Sequence, residues 1–282
     1  MIKRILVPLD TSSYTLCSLD FACKIAKVHD AEVTGLVVLD IPEIRNFVDP
    51  FPLGLSLYSQ QLEVARSTKF YEHIDYLLDI FKHKCTQENV RHQAGKRQGS
   101  PSEAILQESL FYDVMIMGMR TFFEYSPSGK PGKSLEKILN HSVTPIFAVP
   151  ESYDMLEKGN KKFSALVAID GSLPSVRAMK RFANLGEEIF TDVTILTAVE
   201  SKDYADYLLN ETEEYLKNYK FDEIKKSAIT KNITDHIKTN FIGSVDLIVM
   251  GAHSKKGLFD FSVGSLTKFL LKESKTPVFI GL

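Results

Sequence analysis

A duplicated phrase constrains this chain more than any other feature of its sequence. The segment Asp113-Val-Met-Ile-Met-Gly118 recurs as Asp246-Leu-Ile-Val-Met-Gly251, and each copy is followed by a Thr-Pro-apolar-Phe phrase. A third matched pair stands upstream, where Ile5–Asp10 corresponds to Ala165–Asp170. Three matched blocks in the same order indicate an internal duplication of a unit about half the length of the chain.

The duplication predicts two domains of ordinary size within the 282 residues. We place the first domain at residues 1–150 and the second at residues 163–282. Residues 151–162 are polar, contain Gly159 and lack apolar periodicity. This composition is typical of a linker.

The alternation of short apolar runs with longer amphipathic segments predicts an α/β fold. Runs such as Ile5–Val7 and Leu247–Met250 are too short for helices and suit strands buried on both faces. Strands that alternate with helices form parallel sheets with right-handed crossovers. We therefore predict two doubly wound, Rossmann-like domains, each a five-stranded parallel sheet with strand order 3-2-1-4-5, in which the first and fourth strands are neighbours.

In such sheets, ligands bind beyond the carboxyl ends of the strands, and residues of this chain that suit a ligand fall there. Gly251 ends a predicted strand, a loop carrying His253 follows, and Gly264-Ser265 begins a helix. Free backbone amides and the positive end of a helix dipole make a helix start a phosphate cradle. Asp10 and Gly118 each end a strand of the first repeat and are expected at the same rim.

Composition excludes some classes of partner and compartment. A net charge of -2 gives no electrostatic reason to expect nucleic acid or an anionic membrane as the main partner. The three cysteines have no metal-ligand spacing and suit a reducing cytosol. The apolar run at the N-terminus is too short for a signal peptide or a membrane span. We expect a soluble, cytoplasmic protein without a metal site, because no histidine has a partner at a ligand spacing.

Two repeats, each with an Asp closing the first strand and a Gly-loop-Gly phrase after the fourth, resemble the universal stress protein family in its tandem form. The resemblance covers nearly the whole chain. Nucleotide-binding members of that family carry G-x2-G-x9-G-S/T after the fourth strand, where ATP phosphates bind. They place the Asp near the ribose and adenine, and use a backbone group late in the second strand for adenine.

Carried onto the second repeat, the resemblance implies a nucleotide site made by residues that match the family pattern one by one. These are Asp170, Ala198, Gly251, Gly264 and Ser265. Ser254 stands where the family has the middle glycine of the loop. Serine at a position that favours positive φ costs on the order of 1 kcal/mol, so this departure weighs against phosphate binding.

The first repeat matches the family pattern less well. The matching residues are Asp10, Val38, Gly99, Gly118 and Gly132. Thr121 replaces the middle glycine, the loop is one residue longer, and Lys133 precedes Ser134 where the family has Ser or Thr directly after the last glycine.

Several of these residues have a second interpretation. Asp10 and Asp170 could bind a ligand or cap the following helix, and the cap is the safer prediction. Arg120 and His253 stand two residues after the strand-ending glycines and could pair with phosphate or form an exposed loop tip. Lys133 and Ser134 could meet a phosphate or begin a solvated helix. The Gly129–Ser134 segment is not a Walker A loop, since that motif needs a glycine where Pro127 stands.

The last strand of each repeat, Ile146–Val149 and Val278–Ile280, is apolar and is expected at a sheet edge, where it invites pairing. Members of the family dimerise through this strand. The resemblance therefore implies that the two repeats of this chain meet there as an internal pseudo-dimer. A further homodimer is left open.

The leading hypothesis is an adenine-nucleotide-binding protein with a stress-response or regulatory role. ATP, with or without Mg2+, is the first expected ligand, the second repeat is the better pocket, and a regulatory protein is an expected partner. The alternative is an interaction scaffold that kept the fold and lost the site. Slow ATP hydrolysis is a weaker third hypothesis, because the sequence shows no catalytic set or recognisable base.

Overall fold

The computed structural model describes residues 1–39, 56–120, 134–153, 163–230, 232–253 and 263–282, with the backbone alone for 56–71. In the first half, the elements follow one another as β1 (Arg4–Pro8), α1 (Tyr14–His29), β2 (Glu32–Leu39), α2 (Ser56–Gln87), β3 (His92–Gln98), α3 (Pro101–Ser109), β4 (Val114–Gly118), α4 (Ser134–His141) and β5 (Ile146–Val149). The second half repeats the pattern with β6 (Phe163–Ala168), α5 (Leu173–Gly186), β7 (Phe190–Thr197), α6 (Lys202–Leu216), β8 (Glu223–Ala228), α7 (Ile233–Asn240), β9 (Leu247–Gly251), α8 (Ser265–Glu273) and β10 (Val278–Gly281).

The ten strands of the described residues belong to one sheet, in the order β3-β2-β1-β4-β5-β10-β9-β6-β7-β8. Each half therefore has the order 3-2-1-4-5, and the pairs within each half are parallel. The first and fourth strands of each half are neighbours, as predicted: β1 pairs with β4, and β6 pairs with β9. This order puts the carboxyl ends of the first and fourth strands side by side, where the sequence predicts a site.

The two halves are joined through their last strands. β5 and β10 pair antiparallel, with Phe147 opposite Phe279. The rings of these two residues lie 4.7 Å apart, and both side chains are buried. The apolar edges that the sequence predicts thus cover each other, which leaves β3 and β8 as the edges of the joined sheet.

The central strands of the sheet are buried on both faces because helices cover each face. Ile5 and Val7 point into a core shared with α1, α2, α5 and α6. Leu6 points the other way, into a core shared with α3, α4, α7 and α8. This alternation within one apolar strand is the expected consequence of the two-residue period of β structure.

The aspartate that opens the duplicated phrase has a structural role in both halves. Asp113 Oδ2 accepts hydrogen bonds from the backbone N–H groups of Lys3 (2.7 Å) and Arg4 (2.9 Å), at the start of β1. Asp246 Oδ2 accepts the equivalent bond from the N–H of Ser164, 2.9 Å away, in β6. Each aspartate therefore holds the first strand of its half beside the fourth.

Residues 154–162 of the expected linker lie outside the described residues, so the domain boundaries at 150 and 163 stay a prediction. Across the part of the chain that is described, no helix is both long and apolar enough to cross a membrane.

Candidate functional site

A cavity of about 480 Å³ opens at the carboxyl ends of β6, β7 and β9 in the second half. Its volume lies within the range of small-molecule sites, roughly 300–1,000 Å³. Six of the residues predicted for this site line it: Asp170, Ala198, Gly251, His253, Gly264 and Ser265. Ser254, the seventh, lies outside the described residues.

Asp170 orders the turn between β6 and α5. Its Oδ1 accepts the N–H of Ser172 at 2.9 Å, across Gly171, whose φ of +73° suits glycine. The helix begins only at Leu173, and its N-cap is Ser172, whose hydroxyl accepts the N–H of Ser175. The prediction that Asp170 caps the helix is therefore wrong, since the aspartate stands too early in the turn and a serine takes the cap position. The half-buried carboxylate lies on the wall of the cavity.

The start of α8 supplies backbone donors on another wall of the cavity. Gly264 is the N-cap residue, and its own N–H donates to the carbonyl of Ala252 at 3.0 Å. Thr267 donates its hydroxyl to the same carbonyl at 3.2 Å, which fixes the helix start against the end of β9. The N–H groups of the first turn, from Ser265 onward, have no acceptor within the helix, because an α-helix leaves its first amides without partners. They carry the positive end of the helix dipole.

Gly251 is required by packing. A Cβ at this position would lie 2.6 Å from the carbonyl carbon of Pro174 and 2.7 Å from the nitrogen of Ser175, both in the first turn of α5. The glycine therefore lets α5 approach the end of β9 and brings Ser175 to the cavity wall. Gly118 has the same role in the first half, where a Cβ would lie 2.4 Å from the Cβ of Tyr14 in α1.

The cavity carries two carboxylates, Asp170 and Glu200, and the imidazole of His253. Sequence reasoning missed Glu200, which follows Ala198 by two residues just beyond the end of β7. It also missed eight other described residues that line the cavity: Ala168, Ile169, Ser175, Val199, Ile233, Met250, Leu266 and Thr267.

For one of these residues, Ser175, the sequence does contain a pattern that predicts its contact with the aspartate. A hydroxyl residue stands five positions after the aspartate in both repeats, as Thr15 after Asp10 and as Ser175 after Asp170. In each half the aspartate N–H donates to that hydroxyl, at 3.1 Å in the first and 3.4 Å in the second. The repeated spacing predicts the contact once the two halves are aligned.

In the first half, the aspartate is more deeply enclosed. Asp10 is 4% exposed, and its Oδ1 accepts hydrogen bonds from the N–H of Ser12 at 3.0 Å and from the hydroxyl of Thr15 at 2.8 Å. The helix that follows has Ser13 at its N-cap position, so the cap prediction is wrong for Asp10 as well. Its carboxylate instead ties the turn to the first turn of α1.

The remaining predicted residues of the first half are distributed around the same strand ends. Val38 is buried in β2, and Gly99, with a φ of +126°, donates its N–H to the carbonyl of Leu39 at 2.9 Å. Ser134 is the first residue of α4 and is buried. Gly132 and Lys133 lie outside the described residues.

Arg120 contacts the other half of the molecule. Its Nη2 donates to the carbonyl of Lys272, 3.2 Å away, in the last turn of α8. A cation at the C-terminal end of a helix is favoured by the helix dipole. Arg120 thus binds the C-terminal end of α8, a role that neither of its two predicted interpretations, phosphate partner or exposed loop tip, includes.

The chain matches known proteins in both of its halves. A family model described as the universal stress protein family matches residues 1–150 and, separately, residues 164–280. The chain belongs to the universal stress protein family. Its two matches make it a tandem member, which confirms the resemblance seen in the sequence.

Two universal stress proteins are similar over nearly the whole length of the chain, and a third is similar over about half of it. A curated universal stress protein of Synechocystis is 23% identical over 294 residues, which cover 98% of each chain. The crystal structure of a universal stress protein from Archaeoglobus fulgidus covers 98% of this chain and 97% of its own, with a TM-score of 0.69 at 18% identity. A family protein from Arabidopsis thaliana, solved with AMP bound, covers 56% of this chain and 97% of its own, with a TM-score of 0.34 at 16% identity.

Proposed function

We propose that this universal stress protein binds an adenine nucleotide in the cavity of its second half. The observation that carries the proposal is the meeting of three features around one cavity of about 480 Å³: the start of α8, the carboxylate of Asp170 and the backbone at Ala198. The start of α8 suits a phosphate, the carboxylate of Asp170 suits a ribose hydroxyl, and the backbone at Ala198 suits the edge of a base. These are the chemical groups of an adenosine phosphate.

ATP is the nucleotide we expect first, and Mg2+ is expected to accompany it. The carboxylates of Asp170 and Glu200 on the cavity wall would repel a bare polyphosphate. Among the described residues, no group of three or more His, Cys, Asp or Glu side chains is arranged to hold a metal ion. The ion would therefore be held largely by the phosphates, as is usual for Mg2+.

The first half is expected to bind nucleotide more weakly. There, Tyr14 occupies the position that Pro174 has in the second half, and it packs on Gly118 at the strand end. The Tyr14 hydroxyl is neutral at physiological pH, as tyrosine ordinarily is, and burial raises its pKa further, so the side chain brings no charge to the site. Arg120, a candidate phosphate partner, is engaged with the carbonyl of Lys272.

Calorimetric titration with ATP, ADP and AMP, each with and without Mg2+, tests the proposal. We expect heat with at least one nucleotide, and a loss of about tenfold or more in affinity for Ala198→Phe, whose ring would occupy the cavity. Ala94→Phe is the matched control, because Ala94 is exposed on the edge strand β3. It should bind like the wild type.

Two results would overturn the proposal. No heat with any nucleotide at millimolar concentration would reject nucleotide binding altogether. Full affinity in Ala198→Phe would place the nucleotide somewhere other than this cavity.

The alternative function is an interaction scaffold without a nucleotide, favoured by Ser254 and Thr121 at the position of the loop glycine. A scaffold would bind its regulatory partner with the site empty, whereas our proposal makes that binding depend on nucleotide. Native mass spectrometry of freshly purified protein separates the two. A mass increment equal to an adenine nucleotide rules out the scaffold.

A further inference from the structure

A second cavity, of about 330 Å³, lies between the two halves and is distinct from the nucleotide cavity. On the side of the first half it is lined by Leu110 and Tyr112, which precede β4, and by Val143 and Pro145, which precede β5. On the side of the second half it is lined by α5, through Arg181 and Leu185. We refer to it as the interdomain cleft.

Arg181 brings a positive charge into the interdomain cleft, and the described part of the chain supplies it with no ion-pair partner. Its Nη1 atom is buried and makes no hydrogen bond to any group that the structure describes. Within the described ranges, no carboxylate lies within ion-pair distance of its guanidinium. Burial lowers the pKa of the Arg181 guanidinium, and the positive charge of Arg177, one turn earlier, lowers that pKa further. Arginine nevertheless stays protonated in proteins, so the charge remains and costs stability.

The polar neighbours of Arg181 in the cleft are engaged elsewhere. Asp113 Oδ2 accepts backbone N–H groups at the start of β1. The hydroxyl of Thr144 donates to the carbonyl of Ser109 at 2.7 Å, and the side-chain amide of Asn184 donates to a carbonyl of its own helix at 2.8 Å. Among the described residues, none of these side chains makes a hydrogen bond to the buried Nη1 of Arg181.

The rim of the cleft is apolar and open to solvent. Leu110 is 58% exposed and Val143 is 59% exposed, and Phe111, beside Leu110 in the chain, is 73% exposed. Large apolar side chains grouped on a surface often mark a binding site. The cleft therefore combines a half-buried cation at its wall with apolar surface at its mouth.

We propose that the interdomain cleft binds a small organic carboxylate with an apolar body. A guanidinium matches a single carboxylate through two parallel N–H···O bonds, and the apolar rim would cover the body of the ligand. A phosphate dianion fits less well, since Arg181 is the one cation among the described residues that line the cleft, and the Asp113 carboxylate on the same lining would repel the second negative charge. The volume of the cleft is at the lower end of that of small-molecule sites, which suits a ligand of this size.

The test uses octanoate as the probe and thermal unfolding as the readout, on the full chain. Without octanoate, Arg181→Met should raise the melting temperature by about 2 °C or more, because methionine keeps apolar contacts and removes an unpaired, half-buried charge. With octanoate, the wild type should gain stability by mass action, and Arg181→Met should gain none. Arg177→Met is the control: Arg177 is exposed on the same helix and does not line the cleft. It should respond to octanoate as the wild type does.

Calorimetry with related probes separates the contribution of the carboxylate group from that of the apolar chain. We expect octanoate to bind about tenfold or more tightly than acetate, inorganic phosphate or 1-octanol, and about tenfold or more tightly than it binds Arg181→Met. The proposal is overturned if octanoate at 10 mM (roughly the weakest affinity of interest) gives no heat. It is also overturned if Arg181→Met binds octanoate as the wild type does, if phosphate binds better, or if 1-octanol binds equally well. None of these results depends on whether the other cavity holds a nucleotide.

Discussion

At the scale of single residues, His29 couples the stability of the molecule to pH. Its side chain is buried at the end of α1, and its Nδ1 lies 3.6 Å from Glu188 Oε2, just after α5 of the other half. Burial lowers the pKa of His29, and the negative charge of Glu188 offsets this only in part. The imidazole is therefore more readily neutral in the folded chain than in the unfolded chain, where its pKa is about 6.5.

The sign of the pH effect follows from that difference. The contribution of His29 to stability is complete above the unfolded pKa of about 6.5 and is lost as the pH falls through the lower, folded value. We predict that the free energy of unfolding, measured with urea, falls between about pH 7.5 and pH 5.5 by more in the wild type than in His29→Leu. His73, which is exposed, serves as the control: His73→Leu should keep the pH dependence of the wild type. Equal pH dependence in the wild type and His29→Leu would show that His29 is not the group responsible.

Site residues can be predicted from the sequence where they stand at the carboxyl ends of strands that are neighbours in the sheet. Asp170, Ala198 and Gly251 lie far apart in the chain and meet because parallel strands finish at one rim. The sequence could not predict that Arg120 would reach the carbonyl of Lys272. That contact depends on how the two halves are oriented across their shared strands, which no local pattern encodes.

At the scale of elements, α5 lies unusually close to the strands of the second half. A Cβ on Gly281 in β10 would lie 2.2 Å from the Cα of Ala178 in that helix, and the backbone of the helix cannot give way as a flexible side chain could. We predict that Gly281→Ala destabilises the protein by roughly 1–3 kcal/mol, as overpacking in a core typically does. Urea denaturation measures the change.

Gly95→Ala is the matched control for this substitution. Its Cβ would lie 3.3 Å from the Cδ1 of Leu36, the movable end of a side chain, and Gly95 is in the edge strand β3. Its free energy of unfolding should stay within about 0.5 kcal/mol of the wild type. A loss from Gly95→Ala as large as that from Gly281→Ala would mean that close packing of α5 is not the cause.

The duplicated phrases predict the strands well, because each contains a short apolar run, and a glycine or an aspartate ends the run in the first and fourth strands of each half. They predict helix starts less well. The start of α8 at Gly264 and Ser265 is where the sequence predicts it, but the first turn of α5 is set by Ser172, because the aspartate, the more conspicuous cap residue, stands too early to serve either α1 or α5. Which of several neighbouring residues caps a helix depends on where the preceding strand ends. The end of the strand is set by tertiary structure.

At the scale of the whole molecule, the antiparallel pair β5–β10 makes one sheet out of two repeats. Phe279 is fully buried there, and its ring contacts that of Phe147 in the other half. We predict that Phe279→Ala lowers the free energy of unfolding by about 3–5 kcal/mol, the usual cost of removing a buried ring. Because the core of this face is continuous across both halves, unfolding should remain one cooperative transition.

Phe111→Ala is the control for the loss of a phenylalanine, since Phe111 is 73% exposed. Its stability should stay within about 0.5 kcal/mol of the wild type. Two separate transitions in Phe279→Ala, with the first half unaffected, would show instead that the halves are energetically independent.

The shared sheet also bears on function, because it fixes the positions of both sets of strand ends. Arg120 of the first half holds the last turn of α8, and the first turn of the same helix lines the cavity of the second half. The helix that would receive the phosphates is thus held at both ends. A preorganised donor of this kind loses little entropy on binding a ligand.

The most direct measurement is a crystal structure of the protein grown with ATP and Mg2+. The account predicts electron density between Asp170 and Gly264, with the base beside the backbone of Ala198 and a phosphate at the first turn of α8. Nucleotide density only in the first half, or a second-half cavity filled by the chain's own side chains, would contradict it.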